Sequence, residues 1–260
     1  MFYRWTYFIR EVIIINLDLV LVVGIMTLAA FVLRTLSFGL GLTASPLLLF
    51  VLDPVSVVIV LVSVPVILTG MLVWETRNQI DRKTIIPLGI SAVIGTSFGI
   101  LFVKNIESSI LAIVISLVVI FMAILIISNI KFINVVSNKI IYFISIPVAA
   151  LISSTGMGTP VLVAILLPKF SKINLVRGYI SIYLLFVYAT AALGYLISGL
   201  VQTRHIQLTA LCILPSILGY LAGKWFSNQL KDTVMRKVIV GFIIISSSIT
   251  LFKEFYNMFA

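Results

Sequence analysis

Long apolar runs separated by short polar connectors make up almost the whole chain. A membrane-spanning helix needs about twenty mostly apolar residues, and the runs are long enough to supply them. No connector between the runs is long enough to form a soluble domain of its own. The pattern therefore predicts an all-α polytopic membrane protein with eight spans, near 12–36, 54–74, 84–103, 108–129, 139–155, 173–199, 206–226 and 234–253.

Two short segments interrupt this helical pattern, and they resemble each other. Residues 39–46 read Gly-Leu-Gly-Leu-Thr-Ala-Ser-Pro after the first span, and residues 156–160 read Gly-Met-Gly-Thr-Pro after the fifth. Gly and Pro interrupt helices, and Pro is favoured at the first position of a new one, so we expect a half-helix to begin at Pro46 and at Pro160. Irregular backbone at membrane depth is tolerated only where it is buried in protein or lines a watery cavity. The alternative is that these glycines only allow close helix packing.

The order of features in the first half of the chain recurs in the second half. Pro87 and the spaced glycines after it align with Pro215 and its own spaced glycines at a nearly constant offset. Internal duplication is common in transporter folds. The sequence therefore predicts two homologous four-helix repeats, residues 1–130 and 131–260, with the first helix of each broken at its Gly-x-Gly…Pro element.

Composition and charge narrow the class of protein. The chain is 62% hydrophobic and 10% charged, against roughly 45–50% and about 25% for a typical globular protein. Its net charge of +10 comes from scattered Lys and Arg without a basic stripe interleaved with aromatic residues, so we do not expect a nucleic-acid partner. If every span simply crosses, the basic side reverses between the two halves. Both halves obey the positive-inside rule if the element at 139–168 returns to the side it entered from, which would make the repeats inverted.

The order and duplication of these motifs resemble the TauE/SafE family of sulfite and organosulfonate exporters. The resemblance rests on residues 39–49, on residues 156–160, and on the Arg77 and Arg204 connectors with the spaced glycines that follow them. Where family members usually carry further glycines, this chain has Leu42 and Thr43 in one turn and Thr159 and Pro160 in the other. The resemblance implies a secondary transporter, an exporter, that moves a small sulfur-containing anion such as sulfite or a short organosulfonate across the plasma membrane. Transport would proceed by alternating access around a midplane anion site.

The candidate anion site combines backbone amides and hydroxyls at the two breaks with nearby arginines. The start of a half-helix exposes unpaired N–H groups and the positive end of the helix dipole, which favour an anion. Arg34 either draws the anion toward the first break or reaches for the interface. Arg77 and Arg204 either recruit anions at the two mouths or are ordinary connector charges. The candidate binding residues are Gly39, Gly41, Thr43, Ser45, Pro46, Thr155, Gly156, Gly158, Thr159, Pro160 and Arg34.

The remaining polar residues give little support to other functions. Glu11, Asp18 and Asp53 could carry a coupling proton, but each lies near a span boundary, where a solvated carboxylate is expected. His205 and Cys212 are expected to be structural, and the chain has no metal or phosphate motif, so we expect no enzyme, metal or cofactor. The expected partners are a sulfite- or sulfonate-like anion and the lipid bilayer, with a homodimer left open. The rival interpretations are a non-transporting membrane scaffold or assembly factor, and an anion channel.

Overall fold

The computed structural model describes residues 2–36, 39–77, 81–127, 137–166 and 173–226, which form nine helices and no strand. Six of these helices are long and apolar enough to cross a membrane, and α6 is apolar but shorter. The prediction of an all-α membrane protein is confirmed, and the predicted span near 234–253 lies outside the described residues. The helices are α1 (Phe2–Leu36), α2 (Leu40–Leu48), α3 (Pro54–Thr76), α4 (Arg82–Asn105), α5 (Ser108–Ile127), α6 (Asn138–Thr155), α7 (Thr159–Leu166), α8 (Ile173–Ile197) and α9 (Thr203–Phe226).

Polar caps and left-handed glycines set several helix ends. The Asp53 carboxylate accepts the backbone N–H of Ser56 at 2.9 Å, which caps α3, and Pro54 occupies the first helical position, where no N–H bond is lost. Asp81 caps α4 in a similar way by accepting from a backbone N–H in the first turn. α6 ends because Gly156 adopts a φ of 76°, which glycine reaches without strain.

α3 lies at the centre of the bundle. Residues 57–62 are each at most 1% exposed, so this part of α3 is buried on all sides, as expected for a helical segment that is apolar all round. The outer helices instead keep large apolar side chains exposed, among them Phe98, Phe143, Leu214 and Trp225. Exposed apolar surface of this extent is suited to contact with lipid.

Contacts along α6 and α8 show that these two helices run in the same direction. The Tyr183 hydroxyl donates to the Ser145 carbonyl, and, further along both helices, the Tyr195 hydroxyl donates to the Ser153 carbonyl at 2.7 Å. Because α8 starts at the end of the bundle where α6 also starts, the chain returns between them by way of α7.

α3 and α9 also run parallel to each other. Ser56 Oγ lies 2.7 Å from His205 Nε2 near the starts of the two helices, and the Glu75 carboxylate bonds Lys224 Nζ near their ends. α4 and α8 begin at the end of the bundle where α3 finishes, since the Tyr179 hydroxyl of α8 lies 3.2 Å from the backbone nitrogen just before α4. They therefore run opposite to α3 and α9.

Spaced glycines bring α1 against α9 and α4 against α6. A methyl group at Gly219 of α9 would lie 2.2 Å from the Thr27 carbonyl oxygen of α1, and one at Gly95 of α4 would lie 2.0 Å from the Ile146 carbonyl oxygen of α6. The glycine four residues later in each helix packs one turn further along the same partner, so both pairs of helices are parallel. Small residues at this spacing allow such backbone contact between helices in a membrane. Since α1 and α3 are both parallel to α9, the chain also returns between α1 and α3 by way of α2.

Candidate functional site

The two interrupted segments meet inside the bundle. Gly39 and Gly156 are left-handed, with φ of 104° and 76°, and Gly158 has a φ of 152°. A methyl group on Gly41 would lie 2.0 Å from the Gly156 carbonyl oxygen, so the backbone of α2 rests directly on the second break. The second break also packs on Leu61 in the buried first half of α3. The predicted breaks are therefore real interruptions of the helices, and they are buried against each other.

The start of the first half-helix differs from the prediction. α2 begins at Leu40, six positions before Pro46, so the expectation of a helix start at Pro46 is wrong. The break falls at Gly39 because glycine adopts the left-handed conformation without strain, whereas Pro46 removes a single backbone bond late in a short helix. In the second element, α7 begins at Thr159 with Pro160 in its first turn, as predicted.

The start of α2 carries buried polar groups that lack an internal partner. Gly39 provides no side-chain cap for the first N–H groups of α2. Thr43 is 2% exposed, and its hydroxyl has no hydrogen-bond partner within the described residues. The Ser45 and Thr155 hydroxyls are engaged with the backbone, since Ser45 donates to the Gly41 carbonyl and Thr155 donates to the Leu151 carbonyl at 2.6 Å. Thr43 is therefore the hydroxyl most able to bind a guest at this break.

Arg34 belongs to an ion-pair cluster where α1, α3 and α9 end. Its Nη2 lies 3.0 Å from Glu75 Oε2, while Lys224 Nζ lies 2.8 Å from Glu75 Oε1. The Arg34 side chain is 11% exposed, and its guanidinium carbon lies 5.3 Å from the centre of the Tyr220 ring. Two buried atoms of the cluster, Arg34 Nε and the Tyr220 hydroxyl, have no hydrogen-bond partner within the described residues. One carboxylate thus links two cations from different helices beside unused polar groups.

Arg77 and Arg204 lie at opposite ends of the bundle. Arg77 follows the end of α3, and its guanidinium carbon stacks 3.6 Å from the centre of the Trp74 ring. Arg204 is exposed in the first turn of α9, and α3 and α9 run parallel. The structure brings neither of them to the contact between the breaks.

A hydrogen-bonded chain joins α3 to α9 at the end opposite Arg34. His205 Nδ1 accepts the backbone N–H of Gln202 at 2.9 Å, so Nε2 carries the proton and donates to Ser56 Oγ at 2.7 Å. The Ser56 hydroxyl in turn donates to Asp53 Oδ1 at 2.6 Å. Partial burial raises the pKa of the Asp53 carboxyl, but the bonds from Ser56 outweigh it and hold this pKa below its usual value. This series of hydrogen bonds ties α3 to α9.

Glu75 and Lys224 were not found by the sequence pattern. The pattern ends the second span at residue 74 and places Glu75 in a connector, whereas α3 continues to Thr76. Arg34 alone indicates that such an acid exists, because a cation in an apolar helix needs a counter-ion. The sequence does not show which of the distant acids supplies it.

These features define a polytopic helical membrane protein built around two interrupted helices. Comparison with family models then gives a match to the sulfite exporter TauE/SafE model over residues 22–249, most of the chain. The chain therefore belongs to the TauE/SafE sulfite exporter family, a family of membrane transporters. No curated protein and no solved structure matches the chain.

Proposed function

We propose that this chain is a secondary transporter that exports a small sulfur-containing anion, sulfite or a short organosulfonate, across the plasma membrane. The observation that supports it most directly is the contact between the breaks at Gly41 and Gly156, in a chain of a transporter family. Interrupted helices that meet within a membrane bundle are a recurrent way to build a transporter site, because half-helix ends supply unpaired backbone groups.

The anion would bind between the two breaks. The first amides of α2 have no side-chain cap, and the buried Thr43 hydroxyl beside them has no partner within residues 2–36, 39–77, 81–127, 137–166 and 173–226. Buried N–H and hydroxyl donors need partners, and an oxyanion accepts from several at once. The proposed binding residues are Gly39, Gly41, Thr43, Ser45, Pro46, Thr155, Gly156, Gly158, Thr159 and Pro160, with Arg34 as an attracting charge and Arg77 and Arg204 recruiting anions at the mouths.

We infer that residues 1–130 and 131–260 are inverted repeats that rock against each other. Helix directions support this, because α1 and α3 run one way while α6 and α8 run the other way. The packing supports it too, since α4 contacts α6 as α9 contacts α1, in both cases through spaced glycines. Rocking of one repeat against the other would open the break contact to each side in turn.

The end of the bundle where α3 and α9 finish would face the cytoplasm. Within the described residues, seven basic residues lie at that end and four at the other, and the positive-inside rule assigns the richer end to the cytoplasm. The seven are Arg34, Arg77, Arg82, Lys83, Lys139, Arg177 and Lys224, and the four are Arg4, Arg10, Lys104 and Arg204.

A flux assay in proteoliposomes tests the proposal. We expect saturable flux of sulfite and of a short sulfonate, and none of an unrelated anion such as phosphate. The Thr43→Val variant removes the buried hydroxyl with little change of shape, and we expect its KM for sulfite to rise about tenfold, because a hydrogen bond to a charged group contributes about 1.5–3 kcal/mol.

The matched control is Thr190→Val, since Thr190 is a threonine of α8 whose hydroxyl bonds its own helix at 2.6 Å. Its KM should equal that of the wild type. Absence of flux for every anion would favour the scaffold interpretation, and conductance without saturation would favour a channel.

A further inference from the structure

The Glu75 carboxylate is already paired with two cations, Arg34 and Lys224, to which an incoming anion would bind. Its two oxygens lie 3.0 Å from Arg34 Nη2 and 2.8 Å from Lys224 Nζ, so it already serves as an anion bound at this end of the bundle. Its side chain is 30% exposed and that of Lys224 is 52% exposed, so water reaches the cluster from the end where α3 finishes. Protons from that water can therefore reach Glu75.

The groups around Glu75 are mostly cationic. Arg34 faces it from α1, and Lys224 and the Tyr220 hydroxyl face it from α9. Arg177 of α8 is near enough to act electrostatically on the same Tyr220 hydroxyl. Among the described residues, cations thus outnumber the carboxylate, and the cluster that they form favours a further negative charge.

The unused atoms of the cluster show where that charge would bind. Glu75 bonds the Nη2 side of the Arg34 guanidinium, and the buried Nε edge of the same group has no hydrogen-bond partner among the residues that the structure describes. The ring of Tyr220 lies beneath the guanidinium, and its fully buried hydroxyl also has no partner in the described part of the chain. A buried donor left unpaired is unfavourable, so these atoms are suited to an oxyanion.

We propose that a monovalent sulfonate or hydrogensulfite anion binds at the Nε edge of Arg34 on its way between this mouth and the breaks, and that Glu75 takes up one proton as it binds. This inference rests on the proposed transport function and identifies the group that links it to protons. Two negative charges on one guanidinium repel each other, so an anion beside Glu75 favours the protonated carboxyl. The proton comes from hydronium or a buffer acid in the water at this mouth: its bond to that donor breaks as the O–H bond of the Glu75 acid forms, and the donor leaves as water or as the free base. The ion pair of Arg34 then passes from Glu75 to the anion.

Linkage gives the size of the expected effect. When uptake of one proton and binding of one anion are strictly coupled, the apparent affinity falls about tenfold for each unit by which the pH rises. A merely structural Glu75 would not produce such a slope, because loss of packing lowers affinity equally at every pH.

Binding of methanesulfonate to the purified full-length protein provides the test, because this anion stays ionised across the pH range used. Calorimetry in buffers of different ionisation enthalpy gives both the affinity and the number of protons taken up. For the wild type we expect affinity to rise toward acid pH, with uptake approaching one proton for each anion. Glu75→Gln mimics the protonated side chain, and it should bind with no proton uptake and no pH slope. Glu107→Gln, at an exposed glutamate before α5, is the matched control and should keep the wild-type profile.

The possible results separate this inference from the proposed function. Wild-type protein that transports and binds the anion without proton uptake would overturn the inference alone, as would a wild-type pH slope in Glu75→Gln. The wild-type proton count decides the matter by itself where Glu75→Gln does not fold. Failure of the wild type to bind methanesulfonate or to transport sulfite would overturn the proposed function together with the inference.

Discussion

The contact between the breaks makes a sharp prediction for the Gly41→Ala variant. The added methyl would lie 2.0 Å from the Gly156 carbonyl oxygen and 3.1 Å from Met157 Cγ. Real side chains do not come closer than 3.0 Å, so the two breaks must separate by about 1 Å. Overpacking of this kind costs about 1–3 kcal/mol. The obstacle is backbone, which yields less readily than a flexible side chain, so we expect the upper part of that range.

Gly70→Ala in α3 is the matched control for this change. A methyl at Gly70 meets nothing within 4 Å, and Ala is favoured over Gly inside a helix by about 1 kcal/mol. The same chemical change should therefore stabilise the protein at Gly70 and destabilise it at Gly41. Thermal unfolding in detergent gives the difference in stability, and sulfite flux in liposomes should fall for the Gly41 variant alone. Equal melting temperatures and equal flux in the two variants would refute the tight contact and its role in transport.

Two further predictions concern the ends of the bundle. Arg34→Ala should raise the KM for sulfite by about tenfold or more with little change in expression, because charge-assisted bonds to the anion are lost while Glu75 keeps Lys224 as a partner; unchanged uptake kinetics would contradict this. Asp53→Ala should lower stability at neutral pH by about 1 kcal/mol through loss of the α3 cap. Since the pKa of the Asp53 carboxyl is held below its usual value, its stabilising effect is complete above about pH 4 and is lost as the pH falls through the lowered pKa. The two proteins should then converge in melting temperature on acidification, and a constant difference across that range would count against the cap.

The long helices could be read from the sequence because the bilayer fixes their length and composition. α4, α5, α6 and α8 each begin and end within two residues of the predicted spans. The first break was placed less well, because Gly39 and Pro46 both interrupt helices and the pattern alone does not rank them. In the structure the break lies at Gly39, which adopts the left-handed conformation with a φ of 104°.

The ion-pair cluster could not be read from the sequence. Arg34, Glu75 and Lys224 belong to three helices that are distant in the chain, and their meeting depends on α1, α3 and α9 running parallel. The charge pattern predicted a return for the element at 139–168, whereas the helix directions show that the chain returns through α2 as well. The connector charges alone do not show that the chain returns twice, because each return changes which connectors lie on the same side of the membrane.

The packing of α1 on α9 has a consequence for how the protein is made. α1 is complete at Leu36, but its partner is complete only at Phe226, 190 residues later. At about 5–20 residues per second, a ribosome takes about 10–40 s to cover that stretch. Throughout that interval α1 must remain in the lipid without α9, the helix that finally covers it. Tolerance of mutations in α1 will therefore be limited by how well α1 inserts into the membrane as much as by how well it packs on α9.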